Sequence, residues 1–322
     1  MSSPHQRAVP PELPSESVDA STSPSPASLS LLSVAVLGNG TKPEVVRQAQ
    51  RLAEAIREHP GLSLAEVDLS SGSDLSRLSG EVAVVMGGDG TLLHTARRMR
   101  ESPRPVVGIH LGRLGFLAEL VPDQFLQRLD DLAARRFRVD DLMTLSCKLD
   151  GQDGEKPPRV FRGLNEVVIR AAPVFHLVDI GLSIDGEPVI NYRCDGLILA
   201  TPVGSTAHSL SAGGPILPPY AQMFVISPIC PHTLTQRPLV DSSHKRYELI
   251  PRGQGGLTLV IDGQVQVPLS AGDRVVVERG ETPFPMVRFS DHSFYRTLRD
   301  KLGWGVGPPG GIVTATADEK TT

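Results

Sequence analysis

Five residues carry the most pointed chemistry in the chain: Gly87-Gly88-Asp89-Gly90-Thr91, set between the apolar run Val82–Met86 and a helical pattern. Glycines let backbone N–H groups approach an anion with no Cβ in the way, and a helix starting there turns its positive end to the same point. That is phosphate-binding geometry. A carboxylate among those donors would repel a phosphate. Asp89 therefore serves beside them, taking a proton from an attacking hydroxyl or holding Mg²⁺, and phosphoryl transfer needs both services. The same residues also read as a plain tight turn with Asp89 capping the helix. They match neither the GxGxxG dinucleotide fingerprint nor a Walker A loop.

A second run, Cys194 to Pro215, is unusual in its smallness: eleven of the sixteen residues from Ala200 to Pro215 are Ala, Gly, Ser or Thr. Backbone and hydroxyls are available there where bulk is absent, which suits close contact with a polar ligand and equally suits a surface loop. Other reactive side chains lead nowhere. Cys230-Pro231-His232 lacks the paired spacing of a zinc site, and Ser205 and Ser209 sit in no GxSxG elbow. His94 and His110 lie near glycine-rich turns with no nucleophile paired to either.

The elements that must hold these residues change period along the chain. From Leu31 to about Asp140, apolar runs alternate with helical patterns, the signature of βαβ units on a parallel sheet. Strands are expected at Leu31–Leu37, Leu62–Leu69, Val82–Met86 and Val106–Ile109, and helices from Pro43, over Leu92–Met99 and over Pro122–Ala134. Beyond Leu142 β-rich runs dominate, at Glu166–Arg170, Leu177–Ile184, Leu197–Ala200, Met223–Ile226, Thr258–Ile261 and Arg274–Val277. Asp185-Gly186 and Asp262-Gly263 each lie between extended runs and predict tight hairpins. Met286–Phe289 and the amphipathic Phe294–Leu302 restore a strand and a helix, so the chain is expected to return to its first domain.

The expected layout is a tail at 1–30, an α/β nucleotide-binding domain at 31–141 and a β-rich, sandwich-like domain at 142–282. A return strand and helix at 283–304 and a second tail at 305–322 complete it. Residues 1–30 hold nine Ser and six Pro and too few large apolar side chains to offset ordering entropy. The whole chain has 322 residues and a net charge of −4, which offers no basic field for nucleic acid. No stretch approaches the roughly 18 apolar residues of a spanning helix, and no secretory leader is recognisable. Three scattered cysteines form no disulfide framework, and a reducing cytoplasm fits best.

Gly87-Gly88-Asp89-Gly90-Thr91 resembles the motif shared by NAD kinases and by lipid kinases of the diacylglycerol and sphingosine type, with a related turn in 6-phosphofructokinases. The run Asp195-Gly196 through Thr201-Pro202-Val203-Gly204-Ser205-Thr206-Ala207-His208 to Ser209-Leu210-Ser211-Ala212-Gly213-Gly214-Pro215 is similar to the NAD kinase signature, which the lipid kinases lack. Gly112 to Leu117, Asn165-Glu166, Ile226 to Leu234 with Arg237-Pro238-Leu239, and Ile261 to Gln264 add to it, and the resemblance extends from about Val34 to Trp304. It implies a phosphofructokinase-like α/β domain and transfer of the γ-phosphoryl group of ATP, or of polyphosphate, to the ribose 2′-hydroxyl of NAD.

The same resemblance makes Asp89 the general base and Gly87, Gly88, Gly90 and Thr91 phosphate contacts; Arg193 reads as a further phosphate partner or as a solvated arginine. The NAD contacts it implies are Asp89, Gly90, Asn165, Glu166, Asp195, Thr206, Ala207, His208, Ser211 and Gln264. Mg²⁺ would come with ATP rather than in a protein cage, and the chain would form a homodimer or homotetramer with the pocket completed across subunits. Two positions depart from the pattern. The usual Thr is Val203 and the usual Tyr is His208, so dinucleotide binding is expected to be weaker or more pH-dependent. A lipid kinase and a non-catalytic nucleotide sensor are the alternatives, opposed by residues 194–215 and by Asp89 respectively.

Overall fold

Strand Val82–Met86 is buried along its whole length, so it must be covered on both faces, and its side chains alternate between two apolar clusters. It belongs to a computed structural model that describes residues 30–112, 114–151, 157–171, 177–233, 235–252, 256–289 and 293–304. Of the tails read at 1–30 and 305–322, residues 1–29 and 305–322 lie outside the described residues, as do Arg113 and Leu234 of the motif segments.

The chain opens with β1 (Leu32–Gly38), α1 (Pro43–Glu58), β2 (Leu62–Asp68), β3 (Val82–Met86), α2 (Asp89–Met99) and β4 (Val106–Ile109). Two short helices, α3 (Pro122–Leu126) and α4 (Leu129–Ala133), stand where one helix was expected, and β5 (Arg138–Leu142) follows. The break is a single tight turn. Arg128 N–H bonds back only three residues to Phe125 O at 2.9 Å, while Phe125, Leu129 and Leu132 still bury one continuous face.

The β-rich stretch contains β6 (Leu145–Asp150), β7 (Arg159–Gly163), β8 (Glu166–Ala171), β9 (Val178–Ile184), β10 (Glu187–Cys194) and β11 (Gly196–Ala200). After a turn of 3₁₀ helix at Gly204–Thr206 and the short α5 (His208–Ser211) come β12 (Met223–Ile229), β13 (Leu239–Ser242), β14 (Tyr247–Arg252), β15 (Leu257–Ile261), β16 (Val265–Leu269) and β17 (Arg274–Arg279). The described chain ends with β18 (Phe284–Arg288) and α6 (Phe294–Leu302).

These strands form three six-stranded sheets. The first, in order β2-β1-β3-β4-β18-β5, is parallel except for the antiparallel β18–β5 pair. Helices α1, α3 and α4 cover one face and α2 the other, where Leu164 and Val203 join the same cluster. The other two sheets are antiparallel throughout and share one core that draws on both, including Leu145, Ile169, Tyr192, Leu199, Phe224 and Leu259. The Asp185-Gly186 and Asp262-Gly263 hairpins both form, with positive φ at both central residues of each. The strand at Phe284–Arg288 sits inside the first sheet, between β4 and β5.

Candidate active site

Helix α2 begins at Asp89 itself, three residues before the periodicity suggested, and Gly88 is its N-cap. Asp89 therefore does not cap the helix. Gly87 enters the turn with φ +154°, and a Cβ there would lie 2.2 Å from Thr91 Oγ1, so only glycine lets the chain turn this tightly. Around Gly88 the space is open: a Cβ there would meet nothing within 4 Å. The first N–H groups of a helix have no partner within it; that of Thr91 turns back to Gly88 O at 2.9 Å, which leaves those of Asp89 and Gly90 beside the open side.

The Asp89 carboxylate turns instead to the loop after β4. It accepts the backbone N–H of Phe116 at 2.8 Å through Oδ2, and those of Leu117 and Ala118 at 3.1 and 3.3 Å through Oδ1. Gly115 makes this possible, because a Cβ there would lie 2.0 Å from Oδ1. A carboxylate offers about four acceptor positions. Three are filled, and one on Oδ2 is left over.

A second carboxylate repeats the device. Asp262, buried at the β15–β16 hairpin, accepts N–H groups from Leu164, Asn165 and Glu166 at 2.7 to 3.2 Å. Asn165 and Glu166 are thereby fixed at the head of β8, with Asn165 Oδ1 and Glu166 Oε2 buried and without a hydrogen-bond partner. Burial, then the Asp262 charge, pushes the Glu166 carboxyl up to about 8, against the pull of the His208 N–H. Burial raises Asp262 as well, but its four bonds from backbone donors favour the anion, so the proton of the pair sits on Glu166.

The hairpin also reaches α2. Gln264 donates to Gly90 O at 2.8 Å and accepts from Arg97 at 2.8 Å, while Arg97 also meets His94, which bonds Ser71 O. Beside this link lies a cleft of about 510 Å³ lined by Gly38, Asn39, Gly90, Thr91, His94 and Arg97 among others. It opens at the carboxyl ends of β1 and β3, where the strand order reverses, the position at which open α/β sheets take ligands.

Of the residues expected from the sequence, Gly87 to Thr91, Asn165, Glu166 and Gln264 are thus brought together. His208 reaches Glu166 through its backbone N–H, and partial burial followed by the Arg170 charge lowers the His208 imidazole below its ordinary value. Thr206 faces a small cavity of about 80 Å³ shared with Phe116, Leu117, Val203 and Arg288. Ala207 is the N-cap of α5 just before His208, and Ser211, exposed, ends that helix.

Two of the expected residues lie away from this cluster. Ala200 pairs with Glu166 and Gly196 with Arg170, so Asp195 lies at the opposite end of β11, roughly 20 Å along the strand from Thr201 beside Asn165. Arg193 is exposed on edge strand β10, 3.9 Å from Asp179, and Asp195 is 3.8 Å from His232. The amide of Gln264 is taken up by Gly90 and Arg97. Asp262, read only as a turn residue, and Arg97, Arg288 and His94, given no role, are the residues the sequence did not single out. The Asp-Gly turn signal marked the place of Asp262 but not its buried partners.

Comparison with known proteins agrees with this architecture. The ATP-NAD kinase N-terminal domain model matches residues 69–137 and the ATP-NAD kinase C-terminal domain model residues 164–289. A turn of this kind, on a parallel sheet joined to a β-sandwich, here defines a kinase. An NAD kinase of Rhodopirellula baltica is 44% identical over 272 residues, 84% of this chain and 86% of the relative, and one of Koribacter versatilis is 36% identical over 284 residues, covering 84% and 98%. The chain belongs to the NAD kinase family. An Archaeoglobus fulgidus NAD kinase solved in complex with ATP superposes with TM-score 0.69 at 29% identity, covering 84% of this chain and 99% of that one. Yeast NADH kinase complexed with NADH gives TM-score 0.79 at 23% identity, covering 87% and 90%, a likeness of fold.

Proposed function

We propose that this chain is an ATP-dependent NAD kinase in which Asp89 is the general base, taking the proton of the adenosine-ribose 2′-hydroxyl of NAD as that oxygen attacks the γ-phosphorus of ATP. The O–H bond breaks toward Oδ2, a new P–O bond forms, and ADP leaves with the electrons of the old one. The observation that carries the reading is the Asp89 carboxylate, held by three successive backbone N–H groups with one acceptor position left over. A positioned base contributes about 10²–10⁴-fold.

Around it, the open N–H groups near Gly88 and the Thr91 hydroxyl suit phosphate oxygens, and the orphaned Asn165 Oδ1 suits a donor on the adenosine portion. Thr206, Ala207, His208 and Ser211 would line the rest of that pocket. Among the described residues no three His, Cys, Asp or Glu side chains are grouped to hold a metal. We read Mg²⁺ as arriving on the nucleotide phosphates, where it would offset their charge. Arg193, exposed on β10, and Asp195, exposed just before β11, would serve a dinucleotide pocket completed by a second copy in a homodimer or homotetramer.

We further read the first sheet as a phosphofructokinase-like domain with boundaries near 31–141 and 283–304, the sandwich as 142–282, and the cytoplasm as the compartment. Among the described residues no helix is long and apolar enough to cross a membrane. The test is NADP formation from NAD, ATP and Mg²⁺, with polyphosphate in place of ATP in parallel. Asp89→Asn is expected to bind NAD and lose activity by about 10²–10⁴-fold. Near-parental turnover in that variant removes Asp89 from the mechanism.

A further inference from the structure

Arg288 ends β18 beneath the loop that grips Asp89, and its side chain is only 5% exposed. A buried guanidinium demands compensation. It is ion-paired with Glu119, lies 3.7 Å from Asp140 Oδ2, and donates to the carbonyl oxygen of Leu117 at 3.1 Å. That carbonyl belongs to the peptide unit whose other end is the Ala118 N–H, the group that donates to Asp89 Oδ1. One rigid peptide plane therefore joins a cation to a carboxylate: guanidinium to C=O on one side, N–H to Oδ1 on the other.

Hydrogen bonds in such a chain polarise one another, and a full charge at one end strengthens the donor at the other. The connection is also positional. Residues 115–118 lie outside any strand, so no ladder fixes the plane of the Leu117–Ala118 peptide. Arg288 fixes it from inside the sheet, where β18 is paired on both sides.

We infer that Arg288 is a positioning residue for the reaction: through the Leu117–Ala118 peptide it orients the donors that aim Asp89. This rests on the reading of Asp89 as the base. Asp89→Asn and Arg288→Met are therefore made singly and together, and kcat and the KM for NAD are measured for each. Arg288→Met is expected to lower kcat by about 10–100-fold, the scale of loss when a catalytic group is misplaced by a fraction of an ångström to one ångström. KM for NAD should stay within about threefold, since the polar partners of Arg288 are Leu117, Glu119 and Asp140, none of them an expected dinucleotide contact.

In the Asp89→Asn background the same substitution should change kcat by less than about threefold, because the group it serves is already gone. Arg288→Lys, which keeps the charge, should recover part of the loss. If Arg288→Met fails to fold, the pair Arg288→Met with Glu119→Gln removes both charges together and is measured instead. A drop of full size in the Asp89→Asn background, or a KM effect with kcat unchanged, overturns the inference and leaves the base reading intact. Near-parental kcat in Asp89→Asn alone overturns the base reading, and this inference with it.

Discussion

Substituting Gly115 by alanine tests whether the grip on Asp89 matters, without touching a charged or hydrogen-bonding side chain. The added Cβ would lie 2.0 Å from Asp89 Oδ1 and 2.7 Å from its Cγ, whereas ordinary contact begins at 3.4 Å. Carboxylate or loop must give by the difference, 3.4 − 2.0 = 1.4 Å. The loop bonds start at 2.8, 3.1 and 3.3 Å, so a displacement of that size breaks at least the longest two. A misplacement of about 1 Å costs about 10²-fold in rate, so kcat for NADP formation should fall by roughly that factor. Overpacking costs about 1–3 kcal/mol, which lowers the melting temperature by several degrees and leaves the protein folded at assay temperature. The assay is steady-state NADP production alongside a thermal melt. A lowered melt with kcat within about threefold of the parent would refute the view that the held geometry of Asp89 is what the loop supplies.

Glu166→Gln should stabilise the protein at alkaline pH. With the folded carboxyl near 8 and its ordinary value 4.5, the native state keeps a proton that the unfolded chain releases between those values, so stability falls as pH rises from about 4.5 to 8 and stays low above it. The loss is of order a few kcal/mol, and the variant's melting advantage should be absent near pH 4.5 and greatest above pH 8; an advantage independent of pH rejects the assignment. His208→Tyr should flatten the acid side of the KM for NAD. Because burial and Arg170 hold the imidazole below its ordinary value near 6.5, the parent's KM should be level from pH 7 to 8 and change only below about 6.5, and matching profiles would dismiss the histidine as the cause.

Local patterns carried well wherever the deciding physics was local. The run Val82–Met86, the helix opened by Pro43, the two Asp-Gly hairpins and the helix Phe294–Leu302 follow from periodicity and turn chemistry, and they stand where expected within a residue or two. The turn at Gly87 to Thr91 was legible for the same reason: five adjacent residues hold the whole device. What escaped depends on partners far along the chain. Asp89 meets residues 27 to 29 positions later, Asp262 grips residues 96 to 98 earlier, and Arg288 reaches back 171. A carboxylate read by itself offers only a cap or a turn. Arg193 and Asp195 stand apart from that cluster, Arg193 on β10 and Asp195 just before β11, because the run of small residues from Thr201 begins at the other end of β11.

The place of β18 bears on how the protein is made. Its neighbours in the sheet are β4 and β5, and roughly 175 residues, α3, α4, β5 and the whole β-sandwich, are synthesised between Ile109 and Phe284. At about 5–20 residues per second, a ribosome leaves the open flank of β4 waiting for roughly 10–35 s. The parallel sheet thus closes only after the sandwich has emerged. Arg288, the last residue of that strand, is delivered only after the sandwich, and nascent chains that stall short of it carry a raw strand edge for chaperones to shield.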